Sequence, residues 1–286
     1  MILPPLAVLG LVRNGGMGLG STLAAISRIC AASERAHCII VTNDNTDDTD
    51  RVLEAWAHGE PNAKILRFDG IAARFPERID RMAYLRNQAL DAARSINPTP
   101  QLAIVMDLDG LNAGLEPTDI GRALATAPEP WAAIFANQDG AYYDLYALRK
   151  PGWVTDGFWR AIHPAKRRSR MARLLDRLCG RSRRRRVRAM VRARQYLVPA
   201  DAGFIPVQSA FGGLGIYRLA ALQTIGYGSR DESGRTVCEH VVLNRAIPAA
   251  HGRLFISAAL RNASPQDHFD RDRELSGLPF PLKLRT

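Results

Sequence analysis

Five apolar runs constrain this chain more than anything else in it: LAVLGLV (6–12), HCIIVTN (37–43), AKILRF (63–68), LAIVMD (102–107) and AAIFAN (132–137). Each is continuously apolar rather than alternating, the pattern of a strand covered on both faces. Helical patterns separate them, at about 20–33, 47–57, 77–94 and 117–126. TDDTD before Arg51 brings N-cap residues and first-turn acids to the second helix. NPTP (97–100) breaks the third. This β-α-β-α order dictates an α/β fold with a mostly parallel, doubly wound central sheet flanked by helices. Ligands bind such sheets beyond the carboxyl ends of the strands, so chemistry is sought there.

At 286 residues and 47% hydrophobic content, the chain can bury a substantial core. The four cysteines form no CxxC or Cys/His cluster, so neither a zinc site nor a disulfide framework is expected, and a reducing compartment fits. The apolar start, MILPPLAVLGLV, lacks a basic leader and a cleavage site and reads as a first strand, not a signal peptide. No stretch approaches the ~20 apolar residues of a membrane span.

The net charge of +11 is unevenly placed. The segment 166–194 holds fourteen Lys and Arg and one acid, whereas the rest of the chain carries 25 basic against 27 acidic residues. Two helices around CGRS are expected in this insert. Arginine runs of this kind serve nucleic-acid binding in some proteins. Here no aromatic is interleaved before Tyr196, and Leu174, Leu175, Leu178, Val187, Met190 and Val191 add apolar surface. A basic amphipathic insert points to an anionic membrane surface, at about 1 kcal/mol per basic residue near it; nucleic acid is not expected. The rival is a merely solvated insert.

The motif of greatest interest is MDLDG (106–110). Residues i and i+2 of an extended chain share a face, so Asp107 and Asp109 aim together. Two carboxylates that close raise each other's pKa unless a cation sits between them. A divalent ion with oxygen ligands resolves the conflict and can then hold a diphosphate. The rival reading is a pair of solvated loop acids.

Other stretches are less specific. NGGMGLGST (14–22) follows the first strand with Gly15 and Gly20 at P-loop spacing before Ser21 and Thr22, but the phosphate-binding lysine is missing. It reads as a turn and helix start, with Arg13 and Asn14 as nucleotide-facing candidates. Asp44 and Asn45 close the second strand, where a base or ribose could bind or an ordinary Asx turn could form. Gly212 and Gly213, in IPVQSAFGGLGIYR, suggest a backbone brought close to something other than core. Glu239 and His240 open a helix, where an acid complements the dipole or the pair does acid–base work.

Taken in order, these segments resemble the GT-A glycosyltransferases, which move a sugar from a nucleotide-diphosphate sugar to an acceptor. MDLDG resembles their DxD motif. CEHVVLNRAI resembles the Glu-Asp-x-x-Leu-x-x-Arg motif of the family 2 enzymes, with His240 at the aspartate position and Arg245 at the arginine. AYLRNQAL, YYDLYALR and IPVQSAFGGLGIYR are also similar to segments of the fungal CAP59-type capsule mannosyltransferases and related bacterial enzymes.

The resemblance implies that Asp107 and Asp109 hold Mn²⁺ or Mg²⁺ on the donor diphosphate, with His268, in ISAALRNASPQDH, as a third ligand. It implies that Asp44 touches base or ribose, that Arg86 and Asn87 face the nucleotide, and that Asp144, Gly212 and Gly213 border the sugar. Glu239 becomes the catalytic or sugar-binding carboxylate. Inverting family 2 enzymes use the aspartate replaced by His240 as their base, whereas CAP59-type relatives imply retaining transfer from GDP-mannose.

A single GT-A catalytic domain over 1–286 is therefore expected, with a nucleotide-binding half (1–140) and an acceptor half (141–286) bearing the basic helical insert. The implied acceptor is a glycan or a lipid-linked glycan of surface polysaccharide synthesis. The implied place is the cytoplasm, peripheral on the inner face of the plasma membrane. The competing classes are a nucleotidyltransferase or other nucleotide-sugar enzyme, and a non-catalytic basic membrane- or nucleic-acid-binding module. The first would want a basic glycine-rich loop after the first strand, and the second has no use for Asp107 and Asp109 together.

Overall fold

The computed structural model describes residues 2–162, 190–264, 278–281 and 284. Most of the basic segment 166–194, including both expected helices, and the candidate ligand His268 lie outside the described residues.

The expected alternation is present. Strands β1 (Leu6–Val12), β2 (Ala36–Thr42), β3 (Ala63–Arg67), β4 (Leu102–Asp107) and β5 (Trp131–Gln138) are separated by helices α1 (Gly18–Ala31), α2 (Thr49–His58), α3 (Ile71–Arg74), α4 (Arg78–Arg94) and α5 (Pro117–Thr126). The continuous apolar runs are explained by cores on both sides of the sheet. Ala7 and Leu9 of β1, with Ala103 and Val105 of β4, face Ala83, Leu85, Ala89 and Leu90 of α4. The intervening Leu6, Val8, Ile104 and Met106 face Leu19, Leu23, Ile26 and Ile29 of α1 and Ile120 of α5.

The second half adds α6 (Asp156–Ile162), β6 (Tyr196–Leu197), β7 (Phe204–Val207), β8 (Leu214–Arg218), α7 (Glu239–Ala246), β9 (Arg253–Asn262) and β10 (Leu278–Pro279). Eight strands form one sheet in the order β3-β2-β1-β4-β8-β5-β9-β7, and β6 pairs separately with β10. The sheet is mostly parallel, as expected, but β8 and β7 run against the rest. Nor do the successive strands β4 and β5 touch: β8 lies between them, antiparallel to both. The sequence over about 218–225 reads as a helix, but the structure has only a 3₁₀ turn there, at Leu219–Leu222. It is held short where the Arg94 guanidinium takes the carbonyls of Leu222 and Ile225.

The Gly212–Gly213 pair marks a correction. Both residues have positive φ, +66° and +80°. A Cβ on Gly212 would stand 2.6 Å from the Ala136 carbonyl oxygen and 2.7 Å from Gln138 Nε2. The Gly212 carbonyl accepts from Gln138 Nε2 (3.1 Å) and Asn262 Nδ2 (2.8 Å), and the Gly213 carbonyl accepts from the Asp107 amide (2.9 Å). The close approach read from the sequence is to the protein's own sheet, so core packing does require these glycines. Gly212→Ala is expected to destabilise the protein by about 3 kcal/mol, from backbone strain and overpacking together. A urea titration checks it, and an unchanged midpoint would mean that this turn relaxes freely.

Candidate active site

The sheet order reverses between β1 and β4, the place where open α/β sheets leave a crevice. Register sets what reaches it. Leu11 pairs with Asp107 across β1 and β4, Val12 with Thr42 across β1 and β2, and Met106 with Leu214 across β4 and β8. The carboxyl ends of β1, β2 and β4 and the start of β8 therefore meet at one edge. A cavity of about 520 Å³ opens there.

Asp107 and Asp109 both line this cavity, as does Leu108 between them, which also packs in the core beside α1. Asp107 is fixed through its backbone, its amide on the Gly213 carbonyl and its carbonyl taking Asn112 Nδ2 at 3.0 Å. Asp109 is exposed and, among the described residues, is held by the Leu111 amide at 3.3 Å. Burial pushes the Asp107 carboxyl up to about 7 despite Arg86, with Asp109 and Asp144 adding to the rise. The glycine-rich loop packs on this turn: a Cβ on Gly18 would lie 2.5 Å from the Asp109 carbonyl oxygen. Gly18 thus serves the aspartate turn, while Arg13 and Asn14 at the start of the loop line the cavity.

Arg86 is the hub. Its Nε donates to Glu239 Oε1 at 3.1 Å and its Nη2 to Asp107 Oδ1 at 3.3 Å. Phe211 and Tyr227 lie under its guanidinium, at 5.2 and 5.9 Å to their ring centroids. Burial works against the charged guanidinium, but Glu239 and Asp107 outweigh it and hold its pKa above the usual arginine value. Arg86 and Glu239 are 5% and 3% exposed, a buried ion pair in which each partner answers the other. Glu239 and His240 are less tightly associated, with His240 Nε2 3.8 Å from Glu239 Oε1, beyond hydrogen-bond reach.

The other expected residues divide. Asp144 lines the cavity and accepts from the Gly212 amide (3.0 Å) and the Ala147 amide (3.2 Å); burial raises its pKa against those two bonds. Asp44 does not line it. Its carboxylate takes Gly70 N (2.6 Å) and Asn43 Nδ2 (3.0 Å), so it caps a turn at φ +47° while the neighbouring Asn43 reaches the cavity. Asn87 also points elsewhere. It gives its Nδ2 to the Tyr227 carbonyl and takes the Tyr227 amide on Oδ1, 2.9 and 2.7 Å, which pins Tyr227 under Arg86. Gly212 and Gly213 are set behind the lining.

Arg78, Ile79, Met82, Tyr143, Tyr146, Phe211 and Cys238 line the cavity without having been singled out in the sequence. A signal for some of them existed. Arg78, Met82 and Arg86 are spaced i, i+4, i+8 along α4, one face of a helix, so choosing Arg86 implied the other two. Tyr143, Tyr146 and Phe211 carried no such periodicity.

The eight-stranded sheet with its crevice at the β1–β4 reversal defines a GT-A fold. The solved structure that supports this is mannosyltransferase PcManGT from Pyrobaculum calidifontis, in complex with GDP-Man and Mn²⁺. It superposes with TM-score 0.50 at 13% identity over 92% of this chain and 57% of that one. TarS 1–349 of S. aureus gives 0.48 at 11% identity, over 92% and 61% of the two chains. Glucosyl-3-phosphoglycerate synthase from Mycobacterium tuberculosis, in complex with Mn²⁺, UDP and phosphoglyceric acid, gives 0.38 at 13% identity, over 76% and 57%. The chain thus spans about three fifths of the length of these neighbours. At such identities the likeness is one of fold. No family model matches the sequence, and no curated protein matches it.

Proposed function

We propose that the protein is a metal-dependent glycosyltransferase that moves a sugar from a nucleotide-diphosphate sugar to an acceptor hydroxyl. The observation that carries this reading is the joining of Asp107, Arg86 and Glu239 within one cavity at the sheet reversal, with Asp109 exposed on the same cavity. The two aspartates fit a hard divalent cation, Mn²⁺ or Mg²⁺, because they offer oxygen ligands and because Asp107 sits among like charges that a cation would offset. Among the described residues no third His, Cys, Asp or Glu joins them; His268 stays a proposed ligand. When bound, the ion supplies positive charge to the departing diphosphate.

The chain's own residues supply the rest. Arg13 and Asn14, at the end of β1, are positioned for the nucleotide. Asp144 borders the sugar. In the transfer, the acceptor oxygen bonds to the anomeric carbon as the bond from that carbon to the diphosphate breaks. The hydroxyl proton passes to a carboxylate, and Glu239 is our candidate. Its Oε1 is held by Arg86, while Oε2 has only the Cys238 thiol, at 3.7 Å. Removal from water sharpens each of these interactions.

GDP-mannose or a UDP-sugar as donor, and a glycan or lipid-linked acceptor of surface polysaccharide synthesis, extend the same proposal. The neighbour solved with GDP-Man and Mn²⁺ favours the former donor. A peripheral site of action on an anionic membrane rests on the composition of 166–194 and on the lack, among the described residues, of a helix long and apolar enough to cross a membrane.

A panel of nucleotide sugars, incubated without acceptor, tests the activity through slow release of UDP or GDP. One sugar is expected to be hydrolysed with Mn²⁺ and to stop in EDTA. Release undiminished by EDTA, or none from any donor, would sink the proposal.

A further inference from the structure

The ring of His240 is buried to 2% exposure, and among the described residues neither of its nitrogens has a hydrogen-bond partner. One face is stacked on Phe211, with centroids 3.8 Å apart and planes 16° from parallel. Tyr227 stands edge-on at 5.4 Å. His240 nevertheless lines the cavity, with Glu239 and Arg86 beside it. A neutral imidazole carries one N–H donor and one lone pair. Leaving both unmet in a buried site costs stability that a phenyl ring in the same stack would not. A small turn bringing Nε2 onto Glu239 Oε1 would satisfy one nitrogen and still leave Nδ1.

Building on the glycosyltransferase reading above, we propose that His240 is a specificity-determining residue that hydrogen-bonds a hydroxyl of the donor sugar, not the base that accepts the acceptor's proton. Burial, reinforced by the Arg86 guanidinium, drives the His240 pKa well below its usual value, so the ring stays neutral. A neutral donor–acceptor suits an uncharged hydroxyl better than a phosphate. Position favours the donor sugar over the acceptor. Asp107, at the diphosphate end, is linked through Arg86 to Glu239 at 3.3 and 3.1 Å, and His240 is the next residue. His240 and Glu239 line the same cavity as Asp107 and Asp109, so a hexose on a diphosphate held at the two aspartates lies within reach of that lining.

Calorimetric titration in Mn²⁺ tests the assignment, using UDP, GDP, UDP-glucose, UDP-GlcNAc and GDP-mannose on the full chain. His240→Phe keeps the stack on Phe211 and removes both nitrogens. The variant is expected to bind the preferred sugar nucleotide roughly tenfold more weakly. It should bind the parent nucleoside diphosphate as wild type does, and melt at the same or a higher temperature without ligand. His240→Gln, which keeps a donor and an acceptor, should recover part of the loss. Sugar-nucleotide affinity unchanged in His240→Phe would overturn the assignment. So would a joint loss of nucleoside diphosphate affinity and melting temperature, the mark of a structural histidine. A wild type that binds no nucleoside diphosphate would instead bring down the glycosyltransferase reading on which this one rests.

Discussion

Replacing Arg86 with alanine is expected to lower the stability of the ligand-free protein by about 3–5 kcal/mol, the usual cost of stripping one partner from a buried ion pair. Glu239 sets that scale. It is 3% exposed, and Arg86 Nε is its ion-pair partner. Asp107, 29% exposed on its side chain, is partly solvated and adds less. For a chain of this size the loss corresponds to a fall in melting temperature on the order of 10 °C. Arg86→Lys separates charge from geometry. A lysine keeps one positive charge but cannot present the planar fork that reaches Glu239 and Asp107 together. It is expected to recover part of the stability and to leave one carboxylate unpaired. A melting temperature unmoved in Arg86→Ala would show that the two carboxylates are solvated and that the hub holds nothing together.

Asp109→Ala is expected to do the opposite: stability unchanged, nucleotide binding lost. Asp109 is exposed, and among the described residues its carboxylate takes only the Leu111 amide at 3.3 Å, so its removal leaves no buried group of these unmet. If it holds a divalent cation with Asp107, its loss halves the carboxylate set. Affinity for UDP or GDP in Mn²⁺ then drops by at least about a hundredfold, the upper end of what even indirect metal-site partners cost. The residual affinity should equal that of the wild type in EDTA. Titration calorimetry with and without EDTA reads both effects. An Asp109→Ala protein that binds nucleotide in Mn²⁺ as tightly as wild type would remove the metal from the proposal.

Much of this was legible in the chain, for reasons of range. β1, β2 and β4 and the helices between them were readable because hydrophobic periodicity is local. The aspartates of MDLDG were readable as a pair because two acids closing an apolar strand are a local feature, and both line the cavity. The insertion of β8 between β4 and β5 was not readable, since nothing within β8 names its partners. The same limit explains the misread glycines. Gly212 and Gly213 announced a close approach, but what they approach is Ala136, Gln138 and Asn262, brought there by pairings the local sequence does not encode. Asp44 and Asn87 differ: their types and positions fit a ligand, and in the structure Asp44 takes the Gly70 amide and the Asn43 side chain while Asn87 bonds the Tyr227 backbone. Arg86 and Glu239, 153 residues apart in sequence, were each singled out, but their contact was not foreseeable from either segment.

The central place of β8 has a consequence for how the protein is made. β4 and β5 leave the ribosome with open, apolar edges, and the strand that joins them follows roughly 5–15 s later at ordinary rates of synthesis. During that wait the unpaired edges are templates for other chains. Asp107, whose amide must wait for the Gly213 carbonyl, takes its final position only when β8 docks. Nascent chains stalled before residue 214 should therefore be prone to aggregate, and the crevice at the β1–β4 reversal should be among the last parts of the molecule to form.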